Sequence, residues 1–124
     1  MAYANDPTPI QTGFIIKSIR GKFKRAAIDS NSGCVLVHRM KNSIIDGVIA
    51  DGYAEFGAVE LKDTVRLSIV NNVIANDSDT AMFFGSETTG NPSNNIISNV
   101  VAGQTWKEGI HIGKGLNNLF SNVM

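Results

Sequence analysis

Four stretches of this chain have nearly the same sequence, and this internal repeat constrains the fold more than any other feature. The stretches are 43–50, 68–75, 95–102 and 118–124, with a fainter copy at 14–21. The aligned positions Ile15, Ile44, Ile69, Ile96 and Leu119 are 29, 25, 27 and 23 residues apart. Self-similarity at this period is typical of solenoids, in which each repeat is one coil that stacks on its neighbours.

A second short apolar run precedes each of the four stretches. These runs are 34–37, 58–61, 81–84 and 109–112. They are short, rich in β-branched or aromatic residues and bounded by turn-forming residues, which favours strands over helices. A strand advances about 3.3 Å per residue, so a unit of roughly 25 residues can make one circuit and return about 4.8 Å above its start. We therefore predict an all-β fold, a parallel β-helix of four to five coils.

One corner of the coil is predicted by residues that tolerate a positive φ. The aligned positions are Ser18, Gly47, Asn72, Asn99 and Asn122. Glycine and asparagine adopt this conformation at the lowest cost, and stacked asparagine amides can hydrogen-bond from coil to coil. Two inward columns form the predicted core. They are Val35, Val59, Met82 and Ile110, and Val37, Leu61, Phe84 and Ile112.

The asparagine corner, the variable coil length and the Ile-Ile-x-Asn-Val-Val rhythm resemble the right-handed parallel β-helices of the pectate-lyase superfamily. That superfamily includes bacteriophage tailspikes, polysaccharide lyases, polygalacturonases and alginate epimerases. The resemblance covers residues 14–124 and is closest to a tailspike segment, with residues 1–13 expected to form an extended lead-in.

A tailspike-like segment implies a place in the virion tail or outside the cell. It also implies a bacterial surface polysaccharide as partner, and self-association as a homotrimer. Two alternatives stay open. One is a structural stalk that oligomerises and binds nothing, and the other is a polysaccharide lyase or epimerase.

Composition narrows the partners further. Eleven basic and eleven acidic residues give a formal net charge of zero, and no basic stripe follows a phosphate backbone, so nucleic acid is not an expected partner. No apolar run is long enough to insert into a membrane as a helix. The single cysteine, Cys34, excludes an intrachain disulfide. No phosphate loop or zinc spacing is present, and we predict neither a cofactor nor a metal site.

The chain ends at Met124, in the middle of an apolar strand of the repeat. Solenoids need a polar cap, because a bare end coil exposes apolar core and unpaired strand edges. We therefore expect either an excised piece of a longer β-helix or a subunit whose end a partner covers.

The predicted functional face is an outward column with aromatic, acidic and basic side chains. Alternation along the strands points Leu36, Glu60, Phe83 and His111 outward in one column. Lys62 and His38 follow in the next column. Such a face suits a saccharide, and we predict substrate binding by Phe83, His111 and Lys62.

Two carboxyl groups on this face are candidates for catalysis. Glycoside hydrolysis needs a pair about 5 Å apart for retention, or about 6.5 to 9.5 Å apart for inversion. Glu60 and Asp63 are three residues apart, about 10 Å in a fully extended strand, so a turn at Asp63 would bring them within the inverting range. The alternative is a solvated acidic surface without catalysis. Whether the chain is an enzyme, as a hydrolase or a lyase, stays open.

Two further aromatic residues lie in predicted turns. Tyr53 and Trp106 follow the repeat stretches at the same corner of the coil. Loops on a rigid scaffold commonly carry function. We expect these rings to stack on sugars or to pack against a neighbouring subunit.

Overall fold

The computed structural model describes residues 10–23, 33–52, 57–85, 91–103, 105–113 and 115–124, and these contain strands and turns but no helix. The first five strands are β1 (Gln11–Thr12), β2 (Ile15–Phe23), β3 (Val35–Lys41), β4 (Ile44–Gly52) and β5 (Val59–Arg66). The other five are β6 (Ile69–Asn76), β7 (Ser78–Phe84), β8 (Ile96–Ala102), β9 (Thr105–Ile112) and β10 (Leu119–Val123).

Successive strands alternate between two parallel sheets. The first sheet has the order β1-β3-β5-β7-β9, and the second has the order β10-β8-β6-β4-β2. Every neighbouring pair of strands in both sheets is parallel. The predicted parallel β-solenoid is confirmed, and each of its two sheets stacks five strands. The short β1 lies within the predicted lead-in and pairs with β3.

The repeat register matches the strand register. The aligned positions pair directly from coil to coil along the second sheet, as Ile15 with Ile44, Ile44 with Ile69, Ile69 with Ile96, and Ile96 with Leu119. The differences in length between repeats therefore lie in the segments outside these strands. Each repeat position becomes a vertical column of the solenoid.

The predicted asparagine corner is confirmed. Its backbone lies in the left-handed region at all five positions, with φ of 57° at Ser18, 74° at Gly47, 54° at Asn72, 53° at Asn99 and 50° at Asn122. The Asn122 amide donates to Asn99 Oδ1 at 3.0 Å. The next two bonds run diagonally, from a corner residue to the position just before the corner in the neighbouring coil. Asn99 donates to Asn71 Oδ1 at 2.8 Å, and Asn72 donates to Asp46 Oδ1 at 2.8 Å.

A second corner, which the sequence reasoning missed, precedes each repeat stretch. Positive φ values recur there, at 76° for Gly13, 49° for Asn42, 52° for Leu67, 54° for Asn94 and 52° for Asn117. This column has the same spacing as the first corner, so it bends each coil as the chain enters the second sheet. The bend at Leu67 is costly, because the left-handed backbone conformation is less stable by roughly 1 to 2 kcal/mol for a residue such as leucine.

A buried polar ladder follows the second corner. Ser43, Ser68 and Asn95 are at most 2% exposed. The backbone N–H of each position donates to the side chain above it. These bonds join Phe14 to Ser43 at 3.0 Å, Ser43 to Ser68 at 3.2 Å, Ser68 to Asn95 at 3.0 Å, and Asn95 to Asn118 at 3.0 Å. The ladder satisfies polar groups that the bend removes from water, and it explains why the four clear repeat stretches open with serine or asparagine.

The core lies between the two sheets. Most of the predicted inward columns are confirmed, since Val59, Met82, Leu61 and Phe84 are fully buried. The second sheet contributes Ile45, Val48, Val70, Val73, Ile97 and Val100, which are also fully buried. The prediction was wrong for Ile112, which is 54% exposed. Ile112 belongs to β9, the edge strand of its sheet, so no further strand covers it from one side.

Candidate functional site

The first sheet assembles four predicted residues into one column. Leu36 pairs with Glu60, Glu60 with Phe83, and Phe83 with His111. We call these four residues the acid–aromatic column. Lys62 leaves the same strand two residues after Glu60, on the same side of the sheet. The structure therefore brings together Glu60, Lys62, Phe83 and His111, which the sequence placed there.

Two rings of the column stack on each other. The Phe83 and His111 rings are 4.7 Å apart between centroids and nearly parallel, at 7°. Lys62 Nζ lies 5.5 Å from the Phe83 centroid. Because β5 and β9 lie on opposite sides of β7, the lysine and the histidine cover opposite faces of Phe83. A sugar at this site would therefore meet ring edges and the imidazole rather than an open phenylalanine face.

Glu60 differs from the expectation of an exposed outward carboxylate. Its side chain is fully buried, although its column neighbour Leu36 is 44% exposed. Lys62 forms an ion pair with Glu60 Oε1. Apart from this ion pair, neither carboxylate oxygen has a hydrogen-bond partner within the described part of the chain. The ion pair with Lys62 therefore compensates the buried charge, and the Lys62 side chain keeps 29% exposure.

A β-bulge distorts the sheet next to this column. The register between β3 and β5 shifts between His38 and Met40. Arg39 has a positive φ of 57° at the same point. Lys62 and Val65 are three residues apart while their partners His38 and Met40 are two apart, so the extra residue belongs to β5. An inserted residue bends its strand and re-aims the side chains beside it, so the bulge changes the direction of β5 just after Lys62.

For the remaining predicted site residues, the structure describes either the backbone alone or nothing. Tyr53 is outside them altogether. Asp63 and Trp106 belong to β5 and β9 by their backbone, but their side chains are not described. The distance between Glu60 and Asp63 and the catalytic role of the pair therefore stay predictions.

Cys34 is half-buried and packs against the core. Burial raises the pKa of its thiol, and this outweighs a backbone hydrogen bond at Gly21 that lowers the pKa. Its Sγ donates to the Ile49 carbonyl at 3.4 Å. The thiolate is the nucleophilic form, so this environment does not favour nucleophilic chemistry at neutral pH.

An apolar cleft of about 210 Å³ opens between β2 and β3. Its lining residues are Gln11, Phe14, Ile16 and 36–40. Saccharides need hydrogen-bonding groups, and this lining offers few. No group of three or more His, Cys, Asp or Glu side chains suited to a metal ion occurs among the residues that the structure describes.

The sequence reasoning missed the pairing of Glu60 with Lys62. A signal for it was present, because opposite charges two residues apart on a strand leave the same side of the sheet. It also left unremarked that the repeat positions beginning with Ile15 point outward along the second sheet. Their exposure reaches 66% at Ile15 and 59% at Leu119.

These features define a parallel β-solenoid segment with a mixed acidic, basic and aromatic column on one outer face. The chain is 44% identical over all its 124 residues to the tail spike protein of Escherichia virus K5, and it spans 19% of that protein's length. No protein-family model and no solved structure matches the chain. Within the described ranges, no helix is long and apolar enough to cross a membrane.

Proposed function

We propose that this chain is a coil segment of a phage tail spike, located in the virion tail, and that it engages a bacterial surface polysaccharide. The observation that carries this proposal is the 44% identity to a tail spike protein, which extends over every coil. The acid–aromatic column, together with Lys62, is the proposed contact face.

The chemistry of this face suits hydroxyl-rich ligands. The imidazole of His111 has two ring nitrogens that can donate or accept hydrogen bonds, and it is half-exposed. The Phe83 edge offers apolar contact for sugar C–H groups. Lys62 is already compensated by Glu60, so the proposed binding depends on hydrogen bonds and ring contacts more than on net charge. Tyr53 and Trp106 are proposed as further contacts from the turns.

Cleavage of the polysaccharide is the finer part of the proposal. Glu60 and Asp63 are the proposed carboxyl pair of a glycoside hydrolase. Because Glu60 is buried, its carboxyl would have to become accessible when the polysaccharide binds. A Glu60→Gln variant that still binds but no longer depolymerises would support the role. Full depolymerisation by that variant would remove Glu60 from the mechanism.

Two further proposals concern the superfamily of the solenoid and its oligomeric state. We propose that the solenoid is right-handed and of the pectate-lyase type, as the repeat rhythm suggests. We further propose that copies of the chain associate side by side as a trimer. Exposed apolar side chains support association, because a patch of this kind on a soluble protein commonly marks an interface.

A binding measurement tests the central proposal. The chain and its intact parent protein are tested on an array of bacterial surface polysaccharides, and the parent is assayed for depolymerisation. His111→Ala is expected to weaken binding by about tenfold, the effect of one or two lost hydrogen bonds. Ser121→Ala, on an exposed strand of the other sheet, serves as the control and should bind like the unmodified chain.

The same measurement separates the rival functions. Binding that His111→Ala leaves unchanged would place the contact on another face. Failure of both proteins to bind any surface polysaccharide would contradict the proposal and favour a structural stalk. The coil-to-coil ladders of hydrogen bonds are the observation that favours a stalk, since they stiffen the solenoid without requiring a ligand.

A further inference from the structure

A column of hydrogen-bond donors runs from coil to coil one residue before the second corner. We call it the donor column, and its members are Thr12, Lys41, Arg66 and Ser93, which pair in that order. Met40 and Val65 come just before the two basic residues and are buried. Alternation along the strand therefore directs Lys41 and Arg66 away from the core. The column presents an ammonium and a guanidinium group between two hydroxyl groups.

Elsewhere in the described coils, basic residues lie beside acidic ones. Such pairs, by stacking or by direct contact, are Lys17 with Asp46, Lys22 with Asp51, Arg20 with Asp51, and Lys62 with Glu60. Lys41 and Arg66 differ, because they stack directly on each other. Like charges placed opposite each other on neighbouring strands are destabilising. The fold therefore keeps two positive charges together at a cost to its own stability.

Neither of these charges is compensated within the part of the chain that the structure describes. No ion pair or hydrogen bond joins the side chain of Lys41 or Arg66 to another described residue. Lys41 is half-buried and Arg66 is exposed, so both groups are accessible from one outer face. Two adjacent, uncompensated and accessible positive charges are suited to an anion from solution.

Charge and hydrogen bonding together favour a phosphate group as that anion. A phosphate monoester carries a charge of about −1.5 to −2 at pH 7 and has three strong acceptor oxygens. It therefore matches two positive charges, whereas a carboxylate brings only one negative charge. The hydroxyl groups of Thr12 and Ser93 lie one strand spacing, about 4.8 Å, beyond each basic residue. They can donate to the oxygens that the bases leave over.

We propose that Lys41 and Arg66 form a binding site for a phosphate dianion, either free or as a monoester on a sugar, with Thr12 and Ser93 as flanking donors. The site is separate from the acid–aromatic column. Arg66 follows Glu60 by six residues on β5, which is up to about 20 Å along the strand. The inference thus goes beyond the proposed function and does not depend on it.

Calorimetric titration of the full chain with inorganic phosphate tests the site. Ionic strength is held constant, because salt screens exposed charges. Lys41→Gln and Arg66→Gln are each expected to weaken phosphate binding by about tenfold, the effect of one lost hydrogen bond between charged groups. Arg20→Gln is the matched control. It also removes an exposed positive charge, but one that Asp51 already compensates, and it should bind phosphate like the unmodified chain.

Two further titrations define the ligand. If glucose 6-phosphate binds more tightly than inorganic phosphate while glucose does not bind, the site takes a phosphorylated sugar. Equal affinity for the two phosphates identifies the phosphate group alone as the ligand. Acetate is expected to bind roughly tenfold more weakly than phosphate, because it brings one charge instead of two. Acetate binding as tight as phosphate binding would overturn the assignment of a dianion.

The variants also show whether the two bases have a structural role instead. In phosphate-free buffer, Lys41→Gln and Arg66→Gln should keep the circular dichroism spectrum and the melting temperature of the unmodified chain, since neither side chain loses a described partner. A clear fall in melting temperature would contradict the premise that these charges are uncompensated. Absence of phosphate binding, or binding that both substitutions leave unchanged, overturns the proposal.

Discussion

Leu67 occupies the least favourable backbone position of its column. Its φ is 52°, while the other members of the second corner are Gly13, Asn42, Asn94 and Asn117. Glycine and asparagine accept this conformation, whereas a leucine side chain is strained by it. Its side chain is also 58% exposed and contributes little to the core.

We predict that Leu67→Asn raises the free energy of unfolding by about 1 kcal/mol, because asparagine relieves strain of this size. Urea denaturation followed by circular dichroism is the measurement. Leu116→Asn is the matched control, since Leu116 is 56% exposed and does not have a positive φ. A stability gain equal in both variants, or a loss at Leu67, would show that the backbone conformation is not the cause.

The same residue explains which corner could be predicted. At the first corner, three asparagines and a glycine recur in register, and the backbone preference of these residues reveals the bend. At the second corner, Leu67 interrupts the pattern, and the serine or asparagine that follows belongs to the repeat stretch, so its place at a bend does not stand out. Hydrogen bonds between neighbouring coils determine that position, and a single repeat does not show them.

At the scale of a strand, alternation predicted the side of the sheet correctly but not the exposure. Val59 and Leu61 enter the core, as their period of two requires. Glu60 leaves the opposite side and is nevertheless buried, with Lys62 as its ion-pair partner. Burial depends on what neighbouring coils place over a side chain, and this is a tertiary property. The candidate residues and the side of the sheet that they share could therefore be listed from the sequence, but the burial of Glu60 could not.

The ion pair on β5 makes a prediction for stability. Lys62→Met should lower the free energy of unfolding by about 3 kcal/mol, because it leaves a buried carboxylate without its partner. Replacing both groups, with Glu60→Leu and Lys62→Met, should restore stability to within about 1 kcal/mol of the unmodified chain. Chemical denaturation of the single and double variants measures the difference.

A second ion pair provides the control for that experiment. Arg20 contacts Asp51 at 3.2 Å, and their side chains are 60% and 40% exposed. Arg20→Met should cost less than about 1 kcal/mol, as exposed pairs usually do. If Lys62→Met costs no more than Arg20→Met, Glu60 does not depend on Lys62 as the partner of a buried carboxylate.

At the scale of the whole molecule, the columns connect the sequence to the proposed functions. Residues more than 20 positions apart become neighbours because each coil returns one strand spacing above the last. The acid–aromatic column on one sheet and the outward repeat positions beginning with Ile15 on the other both arise in this way. The repeat alone predicted this architecture, since its register fixes which residues stack. The partners of each face depend on chemistry that the repeat does not specify.

The column architecture is tested most directly by distances along one column. Lys17, Asp46, Asn71, Ser98 and Ser121 pair in sequence from coil to coil. Spin labels are placed at positions 17 and 98, or at 17 and 121, on a Cys34→Ser background and diluted with unlabelled chain. Pulsed electron paramagnetic resonance should give a backbone separation of about 14 Å for the first pair and about 19 Å for the second. An increase of about 5 Å between the pairs is the predicted result, whereas equal distances or a broad distribution at much longer distances would contradict the stacked solenoid.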